Sequence, residues 1–274
     1  LDLAISIARD AGELAARRRR EGVQVADTKS TAVDIVTEAD REVERLIRSR
    51  IGDARPDDAI LGEEGGSVGG TTGLMWVVDP IDGTTNYLYG IPHYAVSVAV
   101  VEGDDPRSWD GLVGVVYNPA TGELFSAERG KGAWITDAAG GGSGTTRIRI
   151  PAPAPFDQWL IGTGFAYAAD MRAVQGALVT QLLPQVRDIR RAGTASLDLA
   201  FVAAGRLDAF YERTLSPWDH AAGAVIVREA GGVVKGRGDD APGRDLVLAG
   251  HPEVVARLEA ELERLGVDAP RLDG

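Results

Sequence analysis

The sequence predicts a layered α/β protein with mixed, largely antiparallel sheets, and three observations carry that prediction. Short apolar runs separated by turn signals fill the first half, which is the pattern of hairpins. Helical and strand patterns alternate in the second half. Glycine accounts for 35 of the 274 residues, about 13% against a typical ~7%, so tight turns and close backbone approaches are expected rather than a helical bundle. At a soft prior of about 150 residues per domain the length suits one large domain or two small ones. No repeat recurs at a fixed period.

The chain opens LDLAISIARDAGELAARRRR. Leu3, Ile7, Ala11 and Leu14 step by four, four and three, one face of a helix that ends in the basic run 17–20. Basic residues there complement the helix dipole, and in a chain of net charge −12 that reading is preferred to a nucleic-acid patch. The opening lacks the order of charge, apolar run and cleavage site that marks a signal peptide. It also lacks an initiator Met, which leaves the natural N-terminus open. A second helix is predicted over 37–50, with Val36, Val43 and Ile47 on its apolar face. Asp40 falls on that same face. A carboxylate among apolar neighbours is costly unless paired or bound, so Asp40 either caps the helix start or points into a site.

Strands are predicted at 59–61, 74–78, 94–101, 111–117, 123–127 and 133–136. The stretch 138–146, AAGGGSGTT, reads as an exposed loop. PAPAP at 151–155 reads as a stiff connector. It divides the chain into halves 1–150 and 151–274, expected to form one compact unit. Helices follow at 169–185, 195–204, 218–230 and 252–265, with strands at 207–211 and 246–249.

Lys and Arg number 29 against 41 Asp and Glu. Such an acidic chain is a poor partner for nucleic acid or an anionic membrane. It is an equally poor host for a phosphorylated substrate unless a metal cation reverses the local sign. The absence of cysteine excludes disulfides, thiolate catalysis, cysteine-based zinc sites and iron–sulfur clusters, and fits a reducing compartment. No apolar run approaches the ~18 residues of a membrane span.

The segment LMWVVDPIDGTTNY, 74–87, carries the strongest signal. An apolar strand runs out at Asp79, and Pro80 ends the pairing because it has no N–H to donate. Asp82 follows three residues later. Gly83-Thr84-Thr85 then opens a helix whose free N–H groups suit an anion. Carboxylates beside such a turn repel a phosphate unless a divalent metal lies between; the alternative is an Asp-rich surface turn. Glu63 and Glu64 end an apolar strand in ILGEEGG, and Asp219 lies in the first turn of a helix in WDHAAG. Each is weak alone. Together they supply hard oxygen donors with no Cys and few His, a set for Mg²⁺, Mn²⁺ or Ca²⁺ rather than zinc.

Competing motifs fit less well. Gly65-Gly66-Ser67-Val68-Gly69 matches G-x-S-x-G, but no helix pattern follows it. Residues 79–84 resemble the D-x-D-G-T of haloacid-dehalogenase phosphatases with the second Asp out of register. Gly162-Thr163-Gly164 lacks the third glycine of a dinucleotide fingerprint. His93, His220 and His251 are scattered, and turn, site-rim and surface roles are expected for them.

The motifs DPIDGTTNY, GEE and WDHAAG, with VDIVTEAD before Asp40, RRAGTASLD at 190–198 and GRLDAFYE at 205–212, resemble those of the inositol monophosphatase family of Mg²⁺-dependent phosphatases. The resemblance covers nearly the whole chain. It implies an α-β-α-β-α sandwich of the inositol monophosphatase/fructose-bisphosphatase type, usually a homodimer, cytoplasmic and inhibited by lithium. It implies metal ligands at Glu63, Asp79, the backbone carbonyl of Ile81, Asp82 and Asp219, for two or three Mg²⁺ with Mn²⁺ a possible substitute. Glu64 becomes an outer-shell or third-metal group. Asp40 and Thr84 become the pair that activates water, and the phosphate would rest on the N–H groups of Gly83, Thr84 and Thr85.

The hydroxyls of a small phosphorylated polyol would meet Asp82, Gly193, Thr194, Ala195 and Glu212. Thr85, followed by Asn86-Tyr87, resembles the inositol phosphate branch, whereas histidinol-phosphate and nucleotide-bisphosphate members tend to carry Lys there. The implied reaction is direct attack by water, without a phosphoenzyme. Histidinol-phosphate, fructose-1,6-bisphosphate and nucleotide phosphatases on the same fold are the alternatives, as is a regulatory or scaffold protein without turnover. Glu212 stands seven residues before Asp219, with Ser216-Pro217 between them. It either reaches the rim of the site or pairs at the surface with Arg213 or Arg206.

Overall fold

A computed structural model describes residues 1–23, 25–28, 35–137 and 144–266. The first half runs α1 (Asp2–Glu21), β1 (Val25–Thr28), β2 (Ile35–Thr37), α2 (Glu38–Ala54), β3 (Ala59–Gly62), β4 (Gly66–Val68), β5 (Leu74–Asp82) and α3 (Thr84–Tyr89). It continues through β6 (Ala95–Glu102), β7 (Asp110–Asn118), β8 (Glu123–Glu128), β9 (Gly132–Asp137) and β10 (Thr145–Ile148). The second half holds β11 (Leu160–Thr163), α4 (Ala169–Leu182), β12 (Asp188–Arg190), α5 (Ala195–Ala203), β13 (Ala209–Glu212), α6 (Pro217–Glu229), β14 (Val233–Lys235), β15 (Val247–Gly250) and α7 (Pro252–Arg264).

Among the described residues, eight strands form one sheet in the order β10-β9-β8-β7-β6-β5-β3-β4 and five form another in the order β12-β11-β13-β15-β14. In the large sheet only β3 and β5 run parallel. The small sheet is mixed, with β11 parallel to both β12 and β13.

The two-residue period of each strand builds the layers. On β5, Trp76 and Val78 face α1 and α2, where they meet Ile7, Ala11, Val43 and Ile47. Met75 and Val77 face the opposite way, toward α5 and α6. On β13, Phe210 joins this same middle layer, while Ala209 and Tyr211 pack with Leu178, Leu182, Leu258 and Leu262 of α4 and α7. The result is α-β-α-β-α. Sandwiched between two sheets, α5 and α6 are buried nearly all round, which accounts for apolar runs without a polar stripe. Both halves of the chain meet in that middle layer. No helix among the described residues is long and apolar enough to cross a membrane.

Three expectations need correction. Strand β5 does not stop at Asp79: pairing with β6 skips a bulge after Asp79↔Ser97 and resumes at Asp82↔Ala95. The bulge accommodates Pro80, which lacks a ladder N–H, and it turns the chain between the two aspartates. In the stretch read as a loop, Thr145 and Thr146 belong to β10 and pair with Thr136 and Ile135; 138–143 lies outside the described residues. His220 is not at the rim of a site. It is 1% exposed within the middle layer, and burial lowers its pKa to about 4.

Candidate metal centre and active site

The expected acids come together at one end of the large sheet. Carboxylate oxygens of Asp79, Asp82 and Asp219 all lie within 4.8 Å of one another. Asp79 and Asp82 flank the β5 bulge. Asp219 arrives from the first turn of α6. Glu63, in the turn between β3 and β4, is hydrogen-bonded to Asp79. Two of the acids also organise helix starts. Thr37 and Asp40 form a capping box on α2, as Ser216 and Asp219 do on α6. In each box the acid accepts the N–H of the capping residue, at 2.8 Å for Thr37 and 2.6 Å for Ser216. Asp40 therefore caps α2 and still has an oxygen free of the cap. One oxygen serves Thr37, and the other accepts the Thr84 hydroxyl at 3.1 Å.

Thr84 lies between Asp40 and the backbone carbonyl of Ile81, whose oxygen is also 3.1 Å from the Thr84 hydroxyl. Gly83 precedes it as the N-cap of α3, with φ 90°. A Cβ there would sit 2.4 Å from the Thr194 hydroxyl oxygen, so both backbone conformation and space require glycine. Thr85 follows, exposed. The start of α5 closes the opposite side. Asp82 accepts the N–H of Ser196 at 2.7 Å, and Thr194 donates to the His93 carbonyl at 2.8 Å. Gly193 and Ala195 flank Thr194 in the same segment.

Burial and mutual repulsion dominate the electrostatics. Burial first, then the charges of Glu63, Asp82 and Asp219, hold the Asp79 carboxyl well above the usual carboxylate range. Asp219 is raised in the same way by burial, Glu63 and Asp82. Asp82 rises to about 6, with burial outweighing the bonds from Ser196. Asp40, 1% exposed, rises to about 7: burial outweighs its bonds from Thr37, and Glu63 and Glu64 add repulsion. Crowded buried carboxylates need protons or a cation to balance them. An all-oxygen donor set in a bend of the backbone fits a hard divalent ion. The acidic cluster is thus able to hold a metal.

Glu212 ends β13, half-buried. Burial, with the charges of Asp198 and Asp82 and against that of Arg191, raises its pKa to about 8. Arg213 bonds to Asp245 and Arg206 to Glu123.

Several residues escaped the sequence reading. Asn86 donates to the carbonyls of His93 and Ala192 at 2.7 and 2.8 Å, tying α3 to the approach to α5. Asp198 is 1% exposed with an unpartnered Oδ2. Glu44 is buried on α2, one turn after Asp40; the sequence signal was a second acid on the same helix face.

Residues 1–266 match the model of the inositol monophosphatase family. An inositol-1-monophosphatase of Mycobacterium leprae is 46% identical over 253 residues, 89% of this chain and 84% of its own. The Nus factor SuhB of Escherichia coli is 38% identical over 270 residues, covering 96% and 95%. The crystal structure of the suppressor protein suhB from Bartonella henselae superposes with a TM-score of 0.84 at 36% identity, over 96% of this chain and 98% of that one. Sequence, fold and acid cluster agree: the chain belongs to the inositol monophosphatase family.

Proposed function

We propose that this protein is a Mg²⁺-dependent phosphomonoesterase that hydrolyses inositol 1-phosphate to inositol and phosphate. The observation that carries the reading is the convergence of Asp79, Asp82 and Asp219 within 4.8 Å, beside a hydroxyl held between Asp40 and the Ile81 carbonyl. Glu63, Asp79, the Ile81 carbonyl, Asp82 and Asp219 would hold two or three Mg²⁺, with Mn²⁺ a substitute and Glu64 in support. When bound, the metal supplies the positive charge that lets an acidic site accept phosphate and acidifies a water.

The chain's own groups do the rest. The Thr84 hydroxyl orients the attacking water and passes a proton toward Asp40, whose raised proton affinity suits it to receive one near neutral pH. The N–H groups of Gly83, Thr84 and Thr85 receive the phosphate oxygens. Asp82, the segment Gly193, Thr194 and Ala195, and Glu212 receive the polyol hydroxyls. Attack by water without a phosphoenzyme, lithium inhibition, a cytoplasmic location and a homodimer complete the reading, on the strength of the family resemblance.

The Nus factor name borne by the Escherichia coli relative favours a second reading, a regulatory protein that keeps the fold. The two separate on turnover. A panel of inositol 1-phosphate, histidinol phosphate, fructose 1,6-bisphosphate and nucleotide phosphates, assayed with Mg²⁺ and with excess chelator, should show hydrolysis of inositol 1-phosphate that the chelator abolishes. Full activity in chelator would end the metal reading, and no turnover of any ester would leave the regulatory one.

A further inference from the structure

Both glutamates of the proposed metal site ride on one short turn, 63–65, between β3 and β4. Like charge works against Glu63, which repels Asp79, Asp82 and Asp219 although it is also hydrogen-bonded to Asp79. Besides the β3–β4 ladder that closes it, α2 holds the turn in place. Glu44 is 2% exposed, and a buried carboxylate is costly without donors around it. Here it has three. Oε2 accepts the backbone N–H of Glu64 at 2.7 Å, and Oε1 accepts the N–H of Gly65 at 2.8 Å and Nε of Arg48 at 2.7 Å. Arg48 also donates to the Gly66 carbonyl at 2.5 Å. One helix thus grips the turn by its N–H groups and by a carbonyl.

The glycines on either side of the glutamate pair make this approach possible. A Cβ on Gly62 would lie 2.5 Å from Glu44 Oε1. One on Gly65 would lie 2.7 Å from the same oxygen and 2.8 Å from Arg48 Nε. The motif G-E-E-G therefore has a steric meaning: the carboxylate of Glu44 occupies the room that two side chains would need.

We propose that Glu44, backed by Arg48, is a positioning residue that presents Glu63 and Glu64 to the metal; this rests on the metal-phosphatase reading above. Glu44 itself touches neither ion nor substrate. Its bonds to the turn do not depend on the metal, so the turn is already in place before the ion arrives, and binding need not order it first. Because Asp40 stands on the same face of α2 one turn earlier, the helix also sets the spacing between the water-positioning acid and the paired glutamates.

The test is Glu44→Gln in the full chain, probed with Mn²⁺ alone by calorimetry and electron paramagnetic resonance. Glutamine keeps the size but offers one acceptor oxygen to three N–H donors. Mn²⁺ affinity should fall by about 10-fold or more, the usual loss when outer partners of metal ligands are removed. The Mg²⁺ concentration for half-maximal turnover should rise with it, so that added Mg²⁺ recovers turnover lost at low Mg²⁺. Glu44→Asp, with the same charge on a shorter arm, should not rescue. A purely structural role would lower the unfolding midpoint and leave Mn²⁺ affinity alone.

Should the variants fail to fold, amide exchange in the native protein decides. The N–H groups of Glu64 and Gly65 should be protected in chelator, although they lie in a turn; free exchange there overturns the proposal. A folded Glu44→Gln that binds Mn²⁺ as tightly as the native chain overturns the positioning role alone. A native protein that binds no Mn²⁺ overturns the phosphatase reading and this proposal with it.

Discussion

Replacing Asp40 by Asn separates the two tasks of one carboxylate. Oδ2 accepts the N–H and hydroxyl of Thr37, closing the cap of α2, while Oδ1 accepts the Thr84 hydroxyl at 3.1 Å. Asparagine keeps an oxygen for Thr37, so the helix start survives. Its NH₂ then faces Thr84, which can still donate to the Ile81 carbonyl but can no longer pass a proton onward.

The energetic side follows from the charge. Burial, opposed by the bonds from Thr37, raises Asp40 from 3.8 to about 7, an extra affinity for the proton of about 4 kcal/mol at 1.36 kcal/mol per pH unit. The folded state binds that proton more tightly than the unfolded state. The ionised group therefore opposes folding, increasingly as pH rises from about 4 to about 7, and fully above that. Asparagine removes the charge. In chelator near pH 8, urea unfolding should find the variant more stable than the native chain by about 1–4 kcal/mol, and near pH 4 the two should coincide. With Mg²⁺ present, kcat should fall by about 10²-fold or more, the range for lost proton-transfer catalysis. Metal affinity by calorimetry should change far less. A variant less stable than native near pH 8 would refute the burial argument. A kcat within about tenfold of native would refute the role in water activation.

Asp79→Asn and Asp219→Asn each remove one of several crowded like charges. In chelator both should stay folded and at least as stable as the native chain, yet lose most turnover and bind Mg²⁺ far more weakly by calorimetry; normal binding would dissolve the ligand assignment. Glu212→Gln should reduce the preference for inositol 1-phosphate over glycerol 2-phosphate in a kinetic panel while leaving metal affinity unchanged. A native enzyme that favours a bisphosphate or histidinol phosphate would overturn the substrate branch instead. Away from the site, Asp58 is 5% exposed and accepts from Arg55, Thr72 and the Trp76 indole at 2.8, 2.7 and 2.9 Å. Asp58→Ala orphans the indole N–H and should cost about 1–3 kcal/mol in urea unfolding. Burial pushes that carboxyl up, but its bonds from these three partners outweigh it and hold it below its usual range. Its contribution should therefore fade as pH falls below about 4, where the unfolded group also takes its proton.

Periodicity and motif chemistry determined much of this protein without any structure. Steps of three and four gave α1 and the apolar face of α2, and the acid misplaced on that face, Asp40, caps the helix start and accepts the Thr84 hydroxyl. Such signals are local: each residue's role is written in neighbours a few positions away. The same holds for β6, β7 and β8, long enough to declare themselves. Tertiary structure decided what a strand or side chain meets at a distance. The short strands β4, β11, β12 and β14 went unread, although β3, β13 and β15 of similar length did not, and they exist because a partner strand takes up their backbone groups. Pro80 marks a strand end in isolation, yet β6 recaptures the chain at Asp82 beyond the bulge. His220 was expected at a turn, site rim or surface, but two sheets enclose α6 and turn it inward. Glu44 is one more acid on a helix in the sequence. Its meaning comes from the turn 63–65 that the fold brings against it, since a buried carboxylate is defined by the donors that surround it and two of its three lie about twenty residues away in the chain.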